Sequence, residues 1–130
     1  MSQFINCKIS KRGSGFKTTE TPNYHLKAVY KHDITMDDIA RLISNKCSLT
    51  KADIVACLSA LNEEVYFQLT DGNKVDLGWL GSFKIGLETN AHKNAEDCSL
   101  KDIKRVKINY TPNKLMKKGL NNLSDFKILD

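Results

Sequence analysis

The chain has 130 residues, of which 41% are hydrophobic and 8% aromatic, and its formal net charge at pH 7 is +5. This length and composition are those of a single globular domain. Its first residues lack the cationic start and apolar run of a signal peptide, and no segment reaches the roughly 18 apolar residues that span a bilayer. We therefore expect a cytoplasmic location, in which the cysteines stay reduced.

The first 34 residues are predicted to form a β-hairpin extension. Residues 4–9 (FINCKI) and 24–30 (YHLKAVY) have the apolar alternation of strands. Residues 11–23 lie between them and contain Gly, Ser, Thr and Pro, which favour a loop. The two strands are therefore expected to pair across this loop.

Two helices are expected next, because each has a start signal and an apolar stripe. Thr35 precedes Asp38, and Thr50 precedes Asp53, at the three-residue spacing of a helix cap. The first stripe consists of Met36, Ile39, Ala40, Ile43 and Cys47. The second stripe consists of Ile54, Leu58, Leu61, Val65 and Leu69. The second helix would be about twenty residues long and would stop at Gly72.

The pattern then changes to that of strands, at residues 74–77 and 82–87. Gly78 and Gly81 stand between these segments, where glycines indicate a tight turn or a close approach of two backbones. We interpret Trp79, which lies between them, as a packing residue. A polar stretch without an apolar pattern follows, as far as the next strand.

The positive charge is unevenly placed along the chain. Residues 1–34 hold six cationic and two acidic side chains, residues 35–72 hold three and six, and residues 73–130 hold eleven and seven. The densest segment, residues 101–118 (KDIKRVKINYTPNKLMKK), has seven cationic side chains and one acidic one. Charge of one sign concentrated in this way indicates a polyanionic partner.

The middle of this segment is predicted to be a strand with two different faces. Val106, Ile108 and Tyr110 would pack on the protein, while Arg105 and Lys107 would project from the opposite face, about 6.6–6.8 Å apart. Thr-Pro then leads into a short basic helix. The predicted DNA-binding residues, here called the cationic set, are Lys84, Lys93, Lys101, Lys104, Arg105, Lys107, Lys114, Lys117 and Lys118.

The order of these elements resembles the bacterial histone-like HU family, which includes integration host factor. The resemblance is carried by residues 50–61 (TKADIVACLSAL), 72–75 (GNKV), 77–83 (LGWLGSF) and 104–120 (KRVKINYTPNKLMKKGL). The two N-terminal strands and the YTPNKLMKK ending are similar to an extended HU-related branch of Bacteroides-type bacteria.

The resemblance implies an α+β fold in which a helical hairpin is followed by a three-stranded antiparallel sheet with a β-arm and a short C-terminal helix. This HU-like domain would cover residues 35–120, and residues 121–130 would be a tail, either loose or packed through its apolar residues. The family forms intertwined homodimers that bind double-stranded DNA, and it contains architectural proteins of the nucleoid. A homodimer would also cover apolar residues outside the main stripe of the second helix, namely Val55, Cys57 and Phe67.

One departure from the family limits what the resemblance implies. The family's arm tip carries a proline that wedges between base pairs and kinks the duplex, whereas residues 88–102 contain no proline. We therefore expect phosphate binding largely without base specificity, and we do not expect the kink.

Other functions are weighed against this one. The main alternative is a protein-interaction or scaffold module with the same fold and weak or lost DNA binding; RNA binding is a third possibility, because phosphate contacts alone do not distinguish the duplexes. A helix-turn-helix is disfavoured by the acidic residues of the long second helix. Cys47 and Cys57 are interpreted as small core residues. No enzymatic activity, metal, cofactor, small-molecule substrate or membrane partner is expected.

Overall fold

The computed structural model describes residues 3–11 and 23–129. The chain divides into two compact units. The central unit is Met36–Asn122, and the terminal unit combines Met1–Thr35 with Leu123–Asp130. Together the described residues form three helices and two three-stranded sheets, which confirms the predicted mixture of α and β structure.

The terminal unit is built on a sheet of the order β2-β1-β6. Strands β1 (Ile5–Lys11) and β2 (Tyr24–Val29) are antiparallel, which confirms the predicted hairpin; most of the predicted loop, residues 12–22, lies outside the described residues. Strand β6 (Phe126–Ile128) pairs in parallel with β1. The C-terminal tail is therefore packed, and it completes the sheet that the N-terminal strands begin.

The two predicted helices of the central unit are present. Helix α1 is Met36–Ser44 and helix α2 is Lys51–Thr70. Thr50 caps α2 through a reciprocal capping box, in which its Oγ1 accepts a hydrogen bond from the Asp53 N–H at 3.2 Å. Gly72 follows α2 at φ +86°, which confirms the predicted left-handed stop.

The predicted core positions of two cysteines are wrong. Helix α1 ends at Ser44, so Cys47 lies in the bend that follows and is exposed rather than aligned with the helical stripe. Cys57 on α2 is also exposed. Both thiols are free.

The sheet of the central unit is antiparallel in the order β3-β4-β5. Strand β3 (Val75–Asp76) pairs only with the first residues of β4 (Ser82–Thr89). Strands β4 and β5 (Ile103–Thr111) therefore continue beyond it as a two-stranded ribbon. Helix α3 (Lys114–Asn121) follows β5.

A tight corner joins the ribbon to α3. Gly81 has φ +100°, and a Cβ at this position would lie 2.5 Å from the Thr111 carbonyl oxygen, so a side chain has neither the conformation nor the space it needs. The Tyr110 hydroxyl donates to the Leu80 carbonyl at 2.8 Å, and the Asn113 amide donates to the Gly78 carbonyl at 3.2 Å. These bonds fix the start of α3 against Gly78–Leu80, which form one turn of 3-10 helix.

The core of the central unit is thin. Its buried hydrophobic residues are Ala40, Ile54 and Leu69. The residues predicted to form the packed side of β5 are exposed in the single chain, Val106 by 60% and Ile108 by 62%, and Trp79 is likewise exposed. The packing predicted for these side chains is therefore wrong for one copy of the chain, because α2 covers only part of the sheet.

Candidate nucleic-acid interface

The pairing of β4 with β5 sorts their side chains onto two faces. Phe83 lies opposite Tyr110, Ile85 opposite Ile108 and Leu87 opposite Val106, so one face of the ribbon is apolar. The Phe83 and Tyr110 rings are in contact, with their centroids 5.1 Å apart. This face and α2 line a cleft between Leu61, Val65 and Leu69 on the helix and Phe83 and Ile108 on the sheet.

The other side of the ribbon, here called the polar face, carries the alternate residues. Lys84 lies opposite Asn109, and Gly86 lies opposite Lys107. Lys84 and Lys107 are therefore diagonal neighbours, a relation that places two residues about 7–8 Å apart. A Cβ on Gly86 would lie 2.5 Å from the Asn109 Nδ2 atom, so the amide of Asn109 occupies the space that Gly86 leaves open between the two lysines.

Arg105 is on the same face as Lys107 but has an acidic partner. It lies opposite Glu88, and its Nε donates to the Glu88 Oε2 atom. The predicted role of Arg105 is therefore qualified by a carboxylate directly across the ribbon, which competes with any phosphate for the guanidinium. This pair was not predicted from the sequence, because 17 residues separate the two positions.

All nine members of the cationic set are exposed. Within residues 3–11 and 23–129, its eight lysines make no ion pair with an acidic side chain. Only the arginine is neutralised locally. The polar face therefore presents ammonium groups that are free to neutralise an external anion.

The structure brings together only part of the cationic set. Lys84, Arg105 and Lys107 share the polar face. Lys104 is the extra residue of a β-bulge, because Glu88 pairs with Arg105 while Thr89 pairs with Ile103. Three lysines lie on α3 and two in the segment that connects β4 to β5: Lys114, Lys117, Lys118, Lys93 and Lys101.

The segment between β4 and β5 is a folded tip of residues 90–102. It contains single 3-10 turns at Ala95–Asp97 and Leu100–Asp102. Asp102 accepts from the Ser99 N–H at 2.8 Å, and its other carboxylate oxygen lies 2.9 Å from the His92 Nε2 atom. The bond with His92 and, to a lesser extent, the bond with the Ser99 N–H hold the pKa of Asp102 below its ordinary value.

Asn113 is a structural contributor that the sequence interpretation missed. Its side-chain oxygen accepts from the Leu115 N–H at 2.8 Å and from the Met116 N–H at 3.3 Å, so it caps α3. The signal was present, because Asn is among the residues preferred at the N-cap and Asn113 directly precedes the predicted short helix. The cap positions the three lysines of α3 relative to the end of β5.

Among the described residues, no group of three or more His, Cys, Asp or Glu side chains is placed to hold a metal ion. None of the described helices combines the length and hydropathy needed to cross a bilayer.

Comparison with known proteins agrees with these elements. Residues 4–127 match the model of a family described as an HU domain fused to wHTH, Ig, or Glycine-rich motif. The chain belongs to this HU family. No curated protein matches it at a significant level.

A solved structure supports the same fold. It is a protein of Bacteroides vulgatus ATCC 8482 described as a candidate bacterial DNA-binding protein, and it superimposes with a TM-score of 0.68 at 12% identity. The match covers 99% of this chain and 49% of the other, so the chain spans about half the length of that neighbour. At this identity, the likeness shows the fold alone. The predicted resemblance to the HU family is thus confirmed by the family match.

Proposed function

We propose that this chain is a non-enzymatic architectural protein that binds double-stranded DNA through its phosphates, as histone-like proteins of the bacterial nucleoid do. The observation that carries the proposal is the pair Lys84 and Lys107, which are diagonal neighbours on the polar face and have no acidic partner among the residues that the structure describes. Membership of the HU family and the net positive charge of +5 support the same ligand.

The chemistry of this face suits a phosphate backbone. Duplex DNA carries about one negative charge per 1.7 Å of its axis, and each phosphate neutralised by an ammonium group releases condensed counterions. Phosphate contacts position a protein without reading the base sequence. Lys84, Lys107 and the remaining lysines of the cationic set therefore favour binding that is largely independent of sequence. Because the tip has no proline, we propose no kink at that point.

The proposal includes a homodimer. The central unit leaves large apolar side chains open to solvent, among them Tyr66 on α2, which is 72% exposed, Phe67 and Trp79. Burying apolar surface on a second copy would contribute roughly 25 cal/mol for each Å² removed from water. Val106 and Ile108 on the apolar face of the ribbon need such a cover as well. Two polar faces in one dimer would double the number of phosphate contacts.

The proposal is tested by the salt dependence of DNA binding. The logarithm of the affinity for duplex DNA should fall linearly with the logarithm of the salt concentration. The double variant Lys84→Ala/Lys107→Ala should flatten this slope by about 1.8 per chain, at about 0.9 for each lost contact. The matched control is Lys46→Ala/Lys74→Ala, which removes two exposed lysines outside the ribbon.

Two results would contradict the proposal. One is equal slopes for the ribbon variant and its control, which would mean that only net charge matters. The other is no response of binding to salt at all.

The ion pair between Arg105 and Glu88 favours one other function, a protein-binding scaffold of the same family in which DNA contacts are weakened. A purified chain that carries no nucleic acid, judged by its 260/280 nm absorbance ratio, and that ignores duplex DNA at low salt would support the scaffold instead.

A further inference from the structure

The sheet of the terminal unit has two unlike faces. On β1, the side chains of Ile5, Cys7 and Ile9 alternate with those of Asn6, Lys8 and Ser10. Pairing places Ala28 and Ile128 beside Cys7, and Leu26 beside Ile9, so that face is apolar. The opposite face carries Lys8, Lys27 and Lys127.

Three lysines from the three strands share this opposite face. Lys8 of β1 lies directly across from Lys27 of β2. Lys127 of β6 lies across from Asn6, two residues along β1 from Lys8. Since adjacent strands are about 4.8 Å apart and alternate residues about 6.7 Å apart, Lys127 is about 8 Å from Lys8 at the backbone. All three side chains are exposed.

No acidic side chain of residues 3–11 and 23–129 forms an ion pair with these three lysines. Strands β1, β2 and β6 contain no Asp or Glu. Asp125 directly precedes β6, but within the described residues it forms no ion pair with any of the three lysines. Like charges directly opposite each other weaken a sheet. The pairing of Lys8 with Lys27 is therefore expected to weaken the sheet of the free protein, and a phosphate bound between the two ammonium groups would relieve the repulsion.

Phe4 extends the same face. Its ring lies 5.6 Å from the Lys127 Nζ atom and 4.0 Å from the Lys31 Nζ atom, close enough for cation–π attraction. Phe4 thus holds the ammonium group of Lys31 near the end of the lysine row, and it does so without neutralising the charge. We call Lys8, Lys27, Lys31 and Lys127 the terminal cationic face.

We propose that the terminal cationic face is a second binding site for the phosphate backbone of duplex DNA, separate from the polar face of the ribbon. This second proposal depends on the proposed function in one respect, that the ligand is duplex DNA. The chemistry of the site is that of lysines whose backbone positions are about 5 and 8 Å apart and which have no acidic partner in the described part of the chain, and this suits a row of phosphates better than a single small anion.

The sheet provides a matched pair of variants in the full chain. Lys27→Glu puts a carboxylate opposite Lys8, so it should stabilise the sheet while removing one cation and neutralising another. Lys11→Glu makes the same change of charge on the other face of the same sheet, where Lys11 lies opposite Tyr24. Thermal unfolding of both variants checks that the fold is kept.

Lys27→Glu should flatten the salt slope of duplex binding by about 1.8 per chain, at about 0.9 for each of the two cations. When the salt concentration is raised from about 50 to 200 mM, both proteins lose affinity for the duplex, and the factor lost by the wild type should be about 12 times the factor lost by the variant. Lys11→Glu should leave the slope close to the wild-type value. Equal slopes for Lys27→Glu and Lys11→Glu would overturn the second site.

The two proposals fail in different ways. If Lys84→Ala/Lys107→Ala flattens the slope and Lys27→Glu does not, the ribbon binds DNA and the terminal cationic face does not. If Lys27→Glu flattens the slope and the ribbon variant matches its control, the terminal cationic face binds DNA and the function proposed for the ribbon is wrong.

Discussion

Replacing Glu88 by Gln should increase DNA binding, because Glu88 is the carboxylate that occupies Arg105 on the polar face. The side chains of Arg105 and Glu88 are 70% and 40% exposed, and exposed ion pairs of this kind contribute about 0–1 kcal/mol to stability. Glu88→Gln should therefore change the free energy of unfolding by less than about 1 kcal/mol. It should leave the guanidinium free to contact a phosphate.

The gain in binding follows from the number of contacts released. One new phosphate contact per chain steepens the salt slope by about 0.9, and two contacts in the proposed homodimer steepen it by about 1.8. When the salt concentration is lowered from about 200 to 50 mM, the affinity of the variant should rise about 3.5-fold more than that of the wild type with one contact, and about 12-fold more with two.

Fluorescence anisotropy with a labelled duplex, titrated over this range of salt, measures the slope. Glu63→Gln is the control, because it removes the same charge from an exposed position on α2, away from the ribbon. If both variants steepen the slope equally, the effect is one of net charge. A Glu88→Gln slope equal to that of the wild type would refute the reasoning, since Arg105 would then not reach DNA.

Two further predictions concern the corner and the tip of the ribbon. Gly81→Ala should destabilise the fold by about 1–3 kcal/mol, because φ is +100° and the added Cβ would meet the Thr111 oxygen. In contrast, Gly119→Ala in α3 should stabilise the fold by about 0.5–1 kcal/mol, because nothing lies within 4 Å of the added Cβ. Chemical denaturation measures the free energy of unfolding of both variants. Equal effects would contradict the close approach of Gly81 to Thr111 at the corner. The pKa of Asp102 is lower in the folded protein than its ordinary value of 3.8. The stability that the Asp102 carboxylate gives to the tip is therefore complete above pH 3.8, and it is lost as the pH falls through the lower pKa of the folded state. The Ser99 amide should follow this transition by NMR, and a midpoint at or above 3.8 would contradict it.

The elements that the sequence predicted correctly depend on short-range signals. Thr50 and Asp53 form the predicted capping box, and the helix that follows has the predicted length. Gly72 stops it at a positive φ. Each of these features is decided by residues no more than one helical turn apart, so the local sequence contains the information needed.

The exposed cysteines show where local patterns stop being sufficient. Cys47 continues the apolar spacing of α1, yet the helix ends three residues earlier. Cys57 lies on an apolar helix whose neighbours in the single chain cover only part of its surface. An apolar side chain is compatible with a core or with an interface, and only the positions of the surrounding elements distinguish the two.

The candidate interface was predicted as a set of charges, and its DNA-binding role remains a prediction. The alternation of β5 correctly separated Arg105 and Lys107 from Val106 and Ile108. The partner of each cation depended on the register with β4, which is regular as far as the pair of Glu88 and Arg105 and shifts only beyond it. A shift of one residue would have put that carboxylate on the other face.

The sequence by itself determined the capped start and the glycine stop of α2, which residues of β5 alternate, and that positive charge is in excess toward both ends of the chain. Only the tertiary structure decided which charges share a surface, since Lys8, Lys27 and Lys127 come from three separate strands. The physical reason is distance along the chain: capping and periodicity act over three or four residues, whereas strand register is a relation between segments that the local sequence does not contain.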